Sequence, residues 1–185
     1  MKYSAMIAVS AAALALVSCG KKAEPVAPES PAAEASGGMA GAPTSMTAGQ
    51  SFANTAASSD AFEIETSKLA ATQAGSAKIK TFAQNMIKAH TDSTAKLKAA
   101  AAAATPPVTP VPMMSTVQQQ TLTELQGKSG ADFDTAYAKA QVAAHQMTLD
   151  ALKAYSTAGD VASLKSFATA LVPVVTAHLN MAKGL

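Results

Sequence analysis

The sequence predicts an all-α fold, an antiparallel four-helix bundle with an extra short helix in its middle connection. Three observations carry this. Hydrophobic residues make up 49% of the 185 residues but aromatics only 4%. Alanine, the strongest helix former, dominates the apolar set, a composition suited to closely packed helices. Apolar residues recur at spacings of three and four over four long stretches. Glycine and proline are concentrated ahead of those stretches and between them.

Taken in order, the chain starts with Lys2 and an apolar run from Ala5 to Val17, ending in Leu16-Val17-Ser18-Cys19. This is the layout of a secretory signal peptide. At about 13 residues the run is shorter than the about 20 a membrane-spanning helix needs. Its end resembles a bacterial lipobox, in which the cysteine is lipidated and becomes the first mature residue. Residues 1–18 are thus expected to be removed, with Cys19 as the lipidated anchor. Cys19 is the only cysteine, so no disulfide can form within the chain. Gly20 rather than Asp after it points to the outer membrane, with the protein facing the periplasm. Residues 19–50 read as a flexible linker rich in Pro, Ala, Gly and Ser, too poor in large apolar groups to offset its ordering entropy.

The bundle domain is expected over residues 51–185. A first helix runs from about Ser51 to Ala74, with Phe62, Glu63, Thr66, Leu69 and Ala70 on one face. Gly75-Ser76 breaks it. A second reaches about Ala104 and carries Ile79, Phe82, Ala83, Met86, Ile87, His90 and Leu97 on one stripe. The prolines of residues 105–112 end it. A shorter helix from Met113 to Gln126 precedes Gly127 to Gly130. The next spans Ala131 to Thr157, with Phe133, Tyr137, Ala144, Leu149 and Leu152 on its apolar arc. Gly159 stops it, and Asp160 is placed to cap the last helix. There Val161, Leu164, Ala168, Leu171, Val175, His178, Ala182 and Leu185 form a heptad-like seam, which Pro173 is expected to kink. Two tight turns and one long middle connection give two helical hairpins. Lys80-Thr81-Phe82-Ala83 and Lys165-Ser166-Phe167-Ala168 echo each other between them.

Charge excludes one class of partner. All 14 basic residues are lysine, and the net charge is only +2. Nucleic-acid sites favour the bidentate fork of arginine, so no nucleic-acid partner is expected.

The chemistry-bearing residues are few. His90, His145 and His178 each fall mid-helix on an apolar stripe, and Glu63 shares the inner face of the first helix. One candidate ligand thus comes from each long helix, and imidazole with carboxylate suits zinc, copper or iron. Level decides against a shared site here. Glu63 and His90 lie 12 and 15 residues from the turn at residue 75, an offset of about 4.5 Å at about 1.5 Å per residue. His145 and His178 lie 13 and 20 residues from a turn placed at residue 158, an offset of about 10 Å. A buried hydrogen-bonded polar layer is the preferred reading. The di-iron signature of Glu three residues before His is absent, since Ile87, Val142 and Val175 stand there. Ser58-Ser59-Asp60 and Thr66-Ser67 have no nearby histidine base in the sequence. Met113-Met114 and Met181 are soft copper-ligand types that more often fill cores. Asp132 and Asp134 read as negative charge at a helix start.

Several segments together resemble the domain-of-unknown-function family 4142. They are Phe62-Glu63-Ile64-Glu65-Thr66-Ser67-Lys68-Leu69-Ala70, Lys80 through His90, Gly130 through Tyr137, His145, and Leu171-Val172-Pro173 leading to His178-Leu179. The resemblance covers about residues 51–185. It implies a ferritin-like helical bundle in the bacterial envelope and brings no established activity. The family often has Asp before the two mid-chain histidines. Ala89 and Ala144 stand there in this chain, which removes two carboxylates from any metal set.

The sequence therefore reads as a lipid-anchored envelope bundle, non-enzymatic, with a structural, interaction or stress-protective role. The alternative is a metal-binding or redox bundle using Glu63, His90, His145 and His178 around a transition metal. The expected partner is the membrane, through the lipid on Cys19. Cys19→Ala is expected to release the protein from membranes or stall its processing. Mass spectrometry finding an unmodified Cys19 in mature protein would refute the anchor.

Overall fold

The computed structural model describes residues 46–185, which form five helices: α1 (Ala48–Gln73), α2 (Ala77–Ala102), α3 (Thr116–Gln126), α4 (Gly130–Ala158) and α5 (Ala162–Lys183). The signal peptide, Cys19 and most of the expected linker lie outside these residues. The helices start and stop close to where sequence breakers stand. Thr47 caps α1, its hydroxyl accepting from the Gln50 amide. Ser115 and Gln118 form a reciprocal capping box on α3. Asp160 does not cap α5 as expected. Its carboxylate accepts from the Tyr155 hydroxyl at 2.8 Å, and Val161 takes the N-cap position without a side-chain bond. Helix α5 continues through Pro173 to Lys183.

α1 and α2 form one antiparallel hairpin and α4 and α5 the other, and α1 packs on α4 while α2 packs on α5. Contacts fix the directions. The C-terminal end of α1 meets the start of α4 at Ala74 and Gly130, while Phe52 near the start of α1 stacks on Tyr155 near the end of α4, ring centroids 3.9 Å apart. The order is thus up-down-down-up, with one long crossover returning along the bundle, the arrangement of ferritin-like folds. The crossover follows α1. Gln50 exchanges two hydrogen bonds with the Thr109 backbone, Asn54 accepts from the Val111 amide, and the Ser58 hydroxyl donates to Gln118. Gln73 then donates to the carbonyls of Leu125, Gln126 and Lys128, closing the end of α3. Asp134, expected to serve its own helix start, reaches across to accept from the amides of Gly75 and Ser76 at the head of α2.

The core comes in two apolar halves. One gathers Phe52, Leu97, Leu149, Leu152, Leu164, Phe167 and Val175, with Ala53 and Ala168. The other gathers Ile79, Phe82, Met86, Leu125, Phe133 and Tyr137. Between them lies a layer of buried polar side chains from all four long helices.

Gly159 shows how tightly the second hairpin turns. A Cβ there would stand 2.5 Å from the Tyr155 carbonyl and 2.6 Å from its ring. Gly159→Ala is therefore expected to destabilise by about 1–3 kcal/mol through overpacking. Gly127→Ala, whose nearest atom is 3.7 Å away, should stay within about 0.5 kcal/mol of wild type. Urea melts of both variants check the contrast, and equal midpoints would refute it.

Candidate metal centre

The polar layer is built from α1 outward. Asp60 and Glu63 are three residues apart on α1, a spacing that puts both on one face, and both are buried. Opposite them, α2 supplies His90, α4 supplies His145 and Gln141, and α5 supplies His178, all buried. Each lies within the apolar stripe of its helix, so packing that stripe carries the polar group inward.

The three imidazoles form a near-equilateral triangle. Ring centroids are 5.6 Å apart for His90–His145 and His145–His178, and 5.7 Å for His90–His178. One ring nitrogen of each lies within 4.8 Å of the others. The expected 10 Å offset of His178 is thus overturned. The turn between α4 and α5 occupies Gly159 to Val161, and those residues do not advance along the axis as helical ones do. Measured from the helix ends, His145 is 13 residues before Ala158 and His178 is 16 after Ala162. That offset is only about 4.5 Å.

Two of the rings are held from behind. The Asp60 carboxylate faces His90 Nδ1 at 2.8 Å, and Thr94 donates to its other oxygen at 3.1 Å. The Gln141 carbonyl faces His145 Nδ1 at 2.8 Å. Both partners can only accept, so both Nδ1 atoms carry the proton. In the neutral ring this leaves the Nε2 lone pair free. His90 Nε2, His145 Nε2 and His178 Nδ1 are indeed buried without a partner, as are both Glu63 oxygens and Gln141 Oε1. Left unsatisfied, each such atom would cost about 1–3 kcal/mol. Protein groups alone therefore do not close the hydrogen-bonded layer that was the preferred expectation. Glu63 stands 3.4 Å from His145 Nδ1, on the side of that ring away from its free nitrogen, and is not among the converging ligand atoms.

Electrostatics sort the groups. Burial pushes the Glu63 carboxyl up to about 7, against the lowering influence of His90. Burial lowers His145 to about 3 and His178 to about 4. At neutral pH those two rings are uncharged and offer lone pairs. For His90 burial also opposes charge, but the Asp60 hydrogen bond and the negative groups Glu63 and Asp60 outweigh it, and its pKa is raised. The arrangement resembles the carboxylate–histidine pairing that fixes metal-ligating imidazoles.

Sequence reasoning missed Asp60, Thr94 and Gln141. Asp60 carried a usable signal, its three-residue spacing from Glu63. The carboxylate beside His90 comes from α1, not from position 89, where Ala89 stands. Ser59 and Ser67, with no histidine base, bond to the Thr148 and Tyr137 hydroxyls instead.

The family model described as "Domain of unknown function (DUF4142)" matches residues 33–185, in agreement with the resemblance read from the motifs. None of the curated proteins matches the chain. Among solved structures, "CopM in the Cu(I)-bound form" superposes with a TM-score of 0.60 at 16% identity, covering 75% of this chain and 95% of that one. At that identity the likeness is one of fold.

The buried groups make the metal-free protein pH-sensitive in opposite senses. Folded, Glu63 keeps its proton up to about 7, whereas its ordinary value is 4.5. The folded state binds more protons in that window, so this contribution falls as pH rises. His90, raised, adds to the loss on the alkaline side. His145 and His178 bind protons more readily when unfolded, so their contribution is lost as pH falls from 6.5 toward about 3 and about 4. Glu63→Gln is expected to gain stability over wild type as pH rises through 7. Urea melts at about pH 5 and about pH 8 test this, and an unchanged difference between the two would refute it.

Proposed function

We propose that this chain, which belongs to the DUF4142 family, binds a copper ion as Cu(I) between His90, His145 and His178 and so sequesters it in the bacterial envelope. The observation that carries the proposal is the convergence of three buried imidazole nitrogens within 4.8 Å, each without a protein partner. A structural layer has no use for such nitrogens, because each lone pair left unpaired weakens the fold. A bound ion satisfies all three together.

The donor set favours Cu(I). Imidazole suits zinc, copper, iron and nickel alike. Zinc in protein sites is almost always four-coordinate, the fourth place of a three-histidine site being water. The rings here are at least nine-tenths buried, and Glu63 lies on the far side of His145 from the free nitrogens. Cu(I), a closed-shell ion content with three neutral ligands, needs no fourth. Metal–nitrogen bonds of about 2.0–2.1 Å require the rings to draw together by about 1 Å. The Cu(I)-bound state of a protein with the same fold supports the same choice. Within the chain, Asp60 and the Gln141 carbonyl orient the two rings and hold their Nδ1 protons, and Asp60 offsets the added charge. The signal peptide and Cys19 read from the sequence would place this centre on a lipid anchor in the periplasm, where capture of copper is protective.

The purified protein is expected to bind one Cu(I) per chain and to melt at a higher temperature when loaded. His90→Ala or His145→Ala should abolish binding, and Asp60→Asn should weaken it by about 10–100-fold. Affinity should fall as pH falls, because a proton on His90 competes for the ring. Elemental analysis and titration against a Cu(I) chelator check these outcomes. A wild-type protein that takes up no copper, or zinc in its place, would overturn the proposal.

A further inference from the structure

The three rings are not equally enclosed. His145 is 1% exposed and His90 4%, whereas His178 reaches 9%. His90 and His145 are also fixed through Nδ1 to Asp60 and to the Gln141 carbonyl. The side of the triangle nearest to solvent is therefore the α5 side, at His178.

What stands on that side of α5 is chemically distinctive. Met181 follows His178 by three residues and is 45% exposed. Val174 precedes it by four and is 42% exposed. Residues at these spacings neighbour one another on a helix surface, so Val174, His178 and Met181 form a line that passes from the core to the rim. This rim looks toward α2. The Ser163 hydroxyl donates to the Ala100 carbonyl of α2 at 2.7 Å. Met181 lies 18 residues after Ser163, which is about five turns at about 3.6 residues per turn, and so falls on the same line of α5. Lys78 on α2 also bonds the Gly184 carbonyl just past the end of α5.

We infer that copper reaches and leaves the buried imidazoles across the α2–α5 seam, held first at the rim by the Met181 thioether beside His178. The inference rests on the trihistidine reading above. A thioether is a soft, uncharged ligand that selects Cu(I). One thioether holds the ion weakly enough to pass it on. His178 stands next along that line, and because a neutral imidazole has one lone pair its ring must turn or change tautomer as it takes the ion inward. Met147, on α4 and 71% exposed, lies two residues from His145, a spacing that does not share a helix face. It has no such route and serves as the comparison.

The test follows Cu(I) exchange between the full chain and the chelator bicinchoninate by stopped-flow absorbance, in wild type, Met181→Leu and Met147→Leu. Met181→Leu is expected to keep one Cu(I) per chain and the wild-type equilibrium affinity, but to take up and release the ion about tenfold more slowly. Met147→Leu should exchange at the wild-type rate. Wild-type rates in Met181→Leu with binding intact would overturn this route alone. So would a loss of affinity in Met181→Leu with the uptake rate unchanged, since Met181 would then be a resident ligand. Absence of Cu(I) binding in the wild-type chain would overturn the trihistidine reading and the route with it.

Discussion

A carboxylate taken out of water in the middle of a helical bundle demands donors, and Asp60 finds them on a single neighbouring helix. His90 donates to one oxygen and Thr94 to the other, and the two donors are one helical turn apart on α2. Breaking such a buried pair from one side is far more costly than never having built it. The contact therefore sets the register of α1 against α2. With α1 and α2 locked, the His90 ring is aimed at the bundle axis, and the other two imidazoles meet it there. The apolar halves of the core, one around Phe52 and Phe167 and the other around Phe133 and Tyr137, pack against the faces of this layer and keep water from it.

Small side chains make that layer geometrically accessible. Ala53, Ala70, Ala83, Ala101 and Ala168 are all fully buried and let the helices approach closely. Longer polar side chains then reach the centre from every wall, while four of the larger aromatics sit in pairs at the two ends, Phe52 on Tyr155 and Phe133 on Tyr137. The chain spends its few aromatics where the bundle must be closed and its alanines where the helices must come together.

Much of this was legible in the residues. The three–four spacing, the prolines of residues 105–112 and the glycines at 75 and 159 mark five helices and two hairpins because each acts within a few residues of itself. The inward placement of Glu63, His90, His145 and His178 was legible for the same reason. The depth of His178 was not, because a nonhelical turn of three residues changes the axial count, and its geometry depends on how Tyr155 packs against Gly159. Asp60 was passed over because its partner lies on another helix, and a register between helices cannot be read from either one alone. Asp134 and Asp160 were misassigned in the same way: each has a local role that sequence suggests and a distant or competing partner that the fold provides.

The centre draws its members from both halves of the chain. Asp60, Glu63 and His90 belong to the first hairpin, and Gln141, His145 and His178 to the second. Neither hairpin by itself contains more than two of the three imidazoles. Any ion held there acts as a rivet between two halves that the backbone joins only through the crossover of residues 103–129. Such an ion would add a link through the middle of the molecule to the apolar packing that already joins α1 to α4 and α2 to α5.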